Sequence, residues 1–296
     1  MEKMSSIHPF SRLELLAGPE CLSAFAAAKV IVFGVGGVGS WCAEGLVRSG
    51  IGKLTVVDSD DVCVTNINRQ LQATPMSVGK PKVDEITRRL REINPAAEIT
   101  GIQKVYNRDT KETFGLGGYD YVIDAIDSLS SKVDLIMNAS ASGATVFSAL
   151  GAACKIDPTR IKVSSIWKSD RCRLGKFVRK RLRKWGFKGD FLCVWSDEPE
   201  YNKSQSQILI LGTGDTPVTP PPKTDNAKTR ILKPITGDNV VQINRSLEVS
   251  SDEDCIDDDN TSPSNKTVNG SVVHVTGIFG FTLSGLVIQD IINKNH

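Results

Sequence analysis

The chain has 296 residues, 40% of them hydrophobic and 24% charged, enough to bury a core in one large domain or two ordinary ones. Lysine and arginine number 36 against 34 acids, so a histone-like polycation is excluded and any nucleic-acid site must come from local clustering of charge. The seven cysteines are scattered without a Cys-x-x-Cys pair, which speaks against a zinc ribbon and a disulfide scaffold and fits a reducing compartment.

Residues 1–12 are polar and lack the apolar core of a secretory signal. Val30–Phe33 is a continuous run of β-formers followed at once by glycines, the pattern of a strand buried on both faces of a parallel sheet. A helix is expected over Ser40–Arg48, closed by Ser49-Gly50, then a strand over Leu54–Val57 that ends on Asp58. A helix over Lys80–Ile93 stops at Asn94-Pro95, and strands are expected at Glu98–Ile102 and Tyr121–Asp124. A helix over Lys132–Ser142 and a strand over Thr145–Ala149 complete the alternation, which predicts a doubly wound, mostly parallel α/β sheet.

Beyond Gly151 a short strand is expected over Arg160–Ile166 and a basic amphipathic helix over Arg173–Trp185. Residues 200–269 are rich in Ser, Thr, Pro, Asn and Asp and read as a low-complexity, disordered insertion with an acidic run at Ser250–Asp259. The domain plan is therefore 1–199, the insertion 200–269, and a C-terminal element at 270–296 that packs back on the first part. Val272–Ile292 is long enough to cross a bilayer, but its interruptions by His274, glycines, Gln289 and Asp290 favour a core element over a membrane anchor.

The segment Gly34-Val-Gly-Gly-Val-Gly39 links the first strand to the first predicted helix of the sheet. Gly34, Gly36, Gly37 and Gly39 allow close approach of a phosphate to free N–H groups at the helix start. Asp58, at the end of the next strand, is placed to bond a ribose hydroxyl. This much suits NAD and ATP equally. Arg69 and Lys82, in Asn66-Ile-Asn-Arg-Gln70 and Gly79-Lys-Pro-Lys82, separate the two, because adenylation of a carboxylate builds negative charge on the α-phosphate and hydride transfer does not. Asp127, in Asp124-Ala-Ile-Asp127, lies at the end of the fourth strand and is the candidate ligand for Mg²⁺. Cys193 is expected to be a buried structural thiol, and Phe33 and Trp41 core packing.

The glycine loop, the Asp58-x-Asp60 pair, Asn66-x-x-Arg69-Gln70, Lys82 and Asp127 together resemble the superfamily that activates ubiquitin-like proteins by adenylation. The resemblance implies a Rossmann-like adenylating fold, with Asp58 and Asp60 at the ribose side. It implies Asn66, Arg69, Gln70 and Lys82 around the triphosphate and Asp127 beside the metal and α-phosphate. Phe10-Ser-Arg12 and Glu14-Leu-Leu16 resemble the segment whose arginine reaches the partner subunit's site, so a homodimer with Arg12 acting in trans is implied. Catalytic roles thus fall to Arg12, Arg69, Lys82 and Asp127, with ATP and Mg²⁺ as cofactors and no zinc expected.

Within that superfamily the chain resembles the tRNA threonylcarbamoyladenosine dehydratases. The blocks that carry this are Gly36–Trp41, Asp60–Asn66, Val122–Ser128, Lys155–Arg160, Cys193–Glu198 and Gly277–Phe281. The implied reaction is ATP-dependent cyclisation of threonylcarbamoyladenosine beside the tRNA anticodon, through an acyl-adenylate. The basic helix, with Arg179, Lys180, Arg181, Arg183 and Lys184, is the expected tRNA surface. A sulfur-relay or cysteine-desulfurase-type partner, membrane contact and a cytoplasmic location (or the mitochondrial outer membrane) are further expectations. The alternative is an activating enzyme for a ubiquitin-like or sulfur-carrier protein, followed by a non-catalytic nucleotide-binding subunit and, last, an NAD oxidoreductase. One departure stands out: Ser169–Leu174 replaces a short Asp-Pro-containing run of the family before the basic helix.

Overall fold

A computed structural model describes residues 7–200 and 269–295. The insertion expected over 200–269, with its acidic run, lies outside the described residues except at its two ends.

Seven strands form one sheet: β1 (Lys29–Phe33), β2 (Lys53–Val57), β3 (Glu98–Ile102), β4 (Tyr121–Asp124), β5 (Thr145–Ala149), β6 (Ile161–Ser165) and β7 (Leu192–Ser196). Their order is β3-β2-β1-β4-β5-β7-β6, parallel throughout except for the edge strand β6. Six α-helices are described: α1 (Ser11–Ala27), α2 (Gly39–Arg48), α3 (Lys82–Ile93), α4 (Leu129–Ala141), α5 (Arg173–Lys184) and α6 (Val273–Asn295). β1 and β4 are neighbours whose connections run to opposite sides, so the crevice at their carboxyl ends is the switch point where doubly wound sheets bind ligands.

Several boundaries move from the sequence expectation for identifiable reasons. α3 begins at Lys82, not Lys80, because Pro81 precedes it with an extended ψ of 131°. α4 starts three residues before Lys132, and α5 ends at Lys184 with Trp185 as its cap. α1 and β7 are additions to the expected series. α1 is interrupted at Gly18 (φ 83°, ψ 161°) and carries Pro19, so the sequence shows two breakers where the fold has one kinked helix.

Two apolar layers sandwich the sheet. On one side α2, α3 and α6 cover Val30, Val32, Leu54 and Ile123; on the other α4 and α5 cover Ile31, Phe33, Val122 and Val146. The C-terminal segment is a single helix. By length and composition it is the one described helix able to cross a bilayer, yet Val275, Phe279, Leu283 and Val287 are buried on its inner face. It lies close against α2: a Cβ at Gly280 would come within 2.4 Å of the Val38 carbonyl oxygen. Tyr121 also donates from its hydroxyl to Asp290 (2.7 Å), tying α6 to β4.

Candidate active site

The loops that follow β1, β2 and β4 leave the sheet at one edge. The first is the glycine turn. Gly34 has φ +84°, and a Cβ there would stand 2.7 Å from the Ala125 carbonyl oxygen, so the turn is pressed directly against the loop after β4. A Cβ on Gly39 would overlap the Gly34 carbonyl at 1.8 Å, which holds the start of α2 tight under the turn.

Asp58 fixes that turn from the β2 side. Its carboxylate accepts from the Val35 N–H (2.8 Å) and from the Asp60 N–H (3.0 Å). Burial pushes the Asp58 carboxyl above the ordinary range, against the pull of Lys82 and these two N–H groups. Lys82 is buried, donates to Asp60 at 2.7 Å and lies 3.7 Å from Asp58. Burial raises Asp60 as well, but the hydrogen bond and charge of Lys82 outweigh it and hold Asp60 below the ordinary range. Lys82 is also the first residue of α3, where the helix dipole disfavours a cation. The backbone places it there: Lys82 N donates to the Asp60 carbonyl, and Val62 N to that of Lys80.

The loop after Asp61 carries the next group. Asn66 is buried and accepts from the Cys63 N–H (3.0 Å), closing a short helical turn from which Arg69 and Gln70 follow. Arg69 donates to the Thr65 carbonyl (2.8 Å) and the Asn68 side chain (2.9 Å). Its side chain lies over the turn, since a Cβ on Gly37 would sit 3.3 Å from Arg69 and equally close to Thr276 of α6. Desolvation lowers the Arg69 pKa. Gln70 lies beneath Gly36, and its buried carbonyl oxygen has no partner among the described residues, as does that of Gln72. Trp41, expected as plain packing, is half-buried; its indole N–H donates to the Arg69 carbonyl (3.0 Å) and its ring meets Phe281 at 5.7 Å.

Asp127 is exposed on the β4–α4 loop, two residues beyond Ala125. Among the described residues no three His, Cys, Asp or Glu side chains cluster as a metal site. Asp127 therefore suits a divalent ion only when phosphate oxygens and water complete the shell, the usual arrangement for Mg²⁺. The support under this loop escaped the sequence reading. Asp124 and Lys132 are fully buried; Lys132 donates to Asp124 (2.6 Å) and to the Ala149 carbonyl (2.9 Å). Asp124 also accepts from Ser148 (2.6 Å) and the Ile126 N–H (3.1 Å), so β4, β5 and the Asp127 loop share one anchor. The available signal was a lone lysine in the apolar pattern of α4.

Arg12 stands apart. It is exposed on the first turn of α1, and Phe10 packs on Gly50, at the far end of α2 from the glycine turn. That is about 15 Å of helix, so Arg12 does not reach the site of its own chain. Cys193 is buried on β7, its thiol pushed up to about 12 first by burial. The Ser169–Leu174 departure forms a turn with Arg171 at φ +54°, and Cys172 caps α5. Val178 and Leu182 of α5 are buried, while Arg173, Lys176, Lys180, Arg183 and Lys184 are exposed; Arg179 and Arg181 are half-buried, Arg179 donating to Ser169.

The assembled edge is a glycine turn at the start of a helix, two cations and an isolated carboxylate. It can bind a polyphosphate and stabilise charge on it. A tRNA threonylcarbamoyladenosine dehydratase of Bacillus subtilis is 44% identical over 192 residues, spanning 65% of this chain and 76% of that protein. The tRNA threonylcarbamoyladenosine dehydratase 2 of Saccharomyces cerevisiae is 37% identical over 64% of this chain and 43% of its own length. The crystal structure of the Escherichia coli tRNA N6-threonylcarbamoyladenosine dehydratase in complex with ATP superposes with a TM-score of 0.71 at 29% identity, covering 97% of this chain and 95% of that one. Residues 10–184, which hold every group just described except Cys193 of β7 and the residues of α6, match the ThiF family, and the chain belongs to that family.

Proposed function

We propose that this chain is an ATP-dependent tRNA threonylcarbamoyladenosine dehydratase. The observation that carries the reading is Arg69 against Gly37 of the glycine turn and Lys82 beside Asp58, whose carboxylate holds that turn, with Asp127 on the adjoining loop. The substrate carboxylate attacks the α-phosphate of ATP, pyrophosphate leaves, and an acyl-adenylate forms. The neighbouring ureido nitrogen then attacks the acyl carbon, the ring closes, AMP departs, and water is lost overall.

The chain supplies no covalent nucleophile. Backbone N–H groups of the glycine turn and the Arg69 guanidinium hold the phosphates, and Lys82 shifts from Asp60 toward the α-phosphate as charge grows there. Mg²⁺ held between Asp127 and phosphate oxygens would neutralise part of that charge. A second copy completes the site by contributing Arg12; the exposed Ile7, Leu15 and Leu16 beside it supply an apolar surface for the contact. The basic face of α5 favours RNA over a protein tail as the carrier of the carboxylate.

The test is direct. Purified protein with ATP and RNA bearing threonylcarbamoyladenosine should release AMP and pyrophosphate in equal amounts. Release of neither, or pyrophosphate exchange that requires a protein ending in Gly-Gly, overturns the proposal. Replacing Arg179, Arg181 and Arg183 with Glu should weaken tRNA binding at least about tenfold and reduce its salt slope by roughly three, with ATP affinity unchanged. Unchanged tRNA affinity across a salt titration would remove α5 from the RNA surface.

A further inference from the structure

Two arginines from different elements lie over indoles at the C-terminal end of α5. The Arg183 guanidinium is 5.2 Å from the centroid of Trp167, and that of Arg108, on the loop after β3, is 5.0 Å from Trp185. Phe187 continues the surface, 6.4 Å from Trp167. We infer that this arginine–indole surface is a stacking platform for an unpaired nucleobase of the RNA substrate. The inference rests on the proposed tRNA activity and adds which feature of the RNA is held away from the adenylation site.

The parts are fixed in advance. The Trp167 indole N–H donates to the Gly189 carbonyl (3.0 Å). The Arg108 loop is anchored by buried Tyr106, whose hydroxyl donates to Asp134 at 3.1 Å. Rings and loops held this way lose little freedom on binding. The Arg108 side chain is nevertheless 71% exposed, with its only ion pair among the described residues a long 3.7 Å contact to Asp134. Arg183 has no carboxylate within ion-pair distance among the described residues. Their flat outer faces are therefore presented to solvent.

Charge alone would need only the neighbouring lysines, Lys180, Lys184 and Lys188. A planar guanidinium backed by an indole offers something a lysine cannot, a flat π surface on which a base stacks. A duplex cannot use it, because its bases are already stacked inside the helix; a loop can. An anionic membrane fits poorly, since Val178 and Leu182, the apolar face of α5, are buried in the protein and not free to enter lipid.

Charge-conserving substitution separates stacking from electrostatics. With the full chain, the double variant Arg108→Lys/Arg183→Lys should bind an anticodon stem-loop about tenfold more weakly than wild type. A blunt duplex of equal charge should bind as before, the salt slope should not change, and quenching of tryptophan fluorescence by the stem-loop should diminish. Equal affinity of variant and wild type for the stem-loop, or an equal loss for stem-loop and duplex, overturns the platform. Preference of the wild type for anionic phosphatidylserine vesicles over the stem-loop does so too. AMP release by the wild type is scored separately: AMP release without a variant effect removes the platform alone, and a variant effect without AMP release removes the activity alone.

Discussion

Replacing Lys132 with methionine is expected to cost about 3–5 kcal/mol and to lower the melting temperature by roughly 6–20 °C, because a buried carboxylate loses its partner. Asp124 has no route to water: it and Lys132 are both fully buried. The substitution also frees the Ala149 carbonyl, which accepts from the same ammonium. A second variant separates charge from packing. Lys132→Met with Asp124→Asn should recover part of the loss, since the neutral amide can accept from the Ile126 N–H through its oxygen while its NH2, on the side now facing Ser148, can donate to that hydroxyl oxygen. Thermal and urea unfolding check both. A single variant within about 1 kcal/mol of wild type would show that the pair is not what ties β4, β5 and the Asp127 loop together, and that scale is set by ordinary surface substitutions. Where the single variant stays folded at low temperature, its AMP release should fall while ATP binding falls less, because the loop that positions Asp127 has lost its anchor.

Replacing Lys82 with methionine should give the opposite pattern: AMP formation falls about 100- to 1,000-fold, the usual effect of removing one preorganised donor from developing charge, while the melting temperature changes little. The contrast follows from the partners. Lys132 is enclosed by acceptors that have no alternative, whereas Lys82 makes its one short bond to Asp60, whose side chain is 64% exposed and can be solvated. Lys82 also sits at the start of α3, where its charge works against the helix, so its removal relieves the dipole. Single-turnover assays at saturating ATP read the chemical step without the binding step. A rate within threefold of wild type would remove Lys82 from the adenylation chemistry; a large drop in melting temperature would instead give it the structural role assigned to Lys132. The pH dependence has a definite sign. Lys82 holds Asp60 below the ordinary carboxylate range, so this pair's contribution to stability is complete above that range and is lost as pH falls through the lowered Asp60 value. The methionine variant should lack that acid limb.

The sequence itself determined the parts of this protein that depend on local pattern. Continuous β-branched runs ending in glycine or aspartate marked β1, β2 and β4, because parallel strands are covered on both faces and need no polar alternation. The glycine turn and the residues from Asp58 to Lys82 were legible for the same reason: phosphate-binding turns impose their spacing within a short stretch of chain. α1 was not legible, since Gly18 and Pro19 break its pattern locally while burial of Ala17, Cys21 and Phe25 holds it together from a distance. Only the tertiary structure decided which of two lysines near the site is fully enclosed and which pairs with an exposed carboxylate. A lysine on an apolar helix face and a lysine after a proline look equally unusual in sequence. Their difference lies in what the sheet brings opposite them: for Lys132 a closed set of buried acceptors on β4 and β5, for Lys82 a short bond to an exposed aspartate and a longer approach to buried Asp58. The same holds for α6. Its composition would serve a bilayer or a core, and the close approach of Gly280 to α2 selects the core, because helix packing at that distance is a property of two segments and is written in neither one alone.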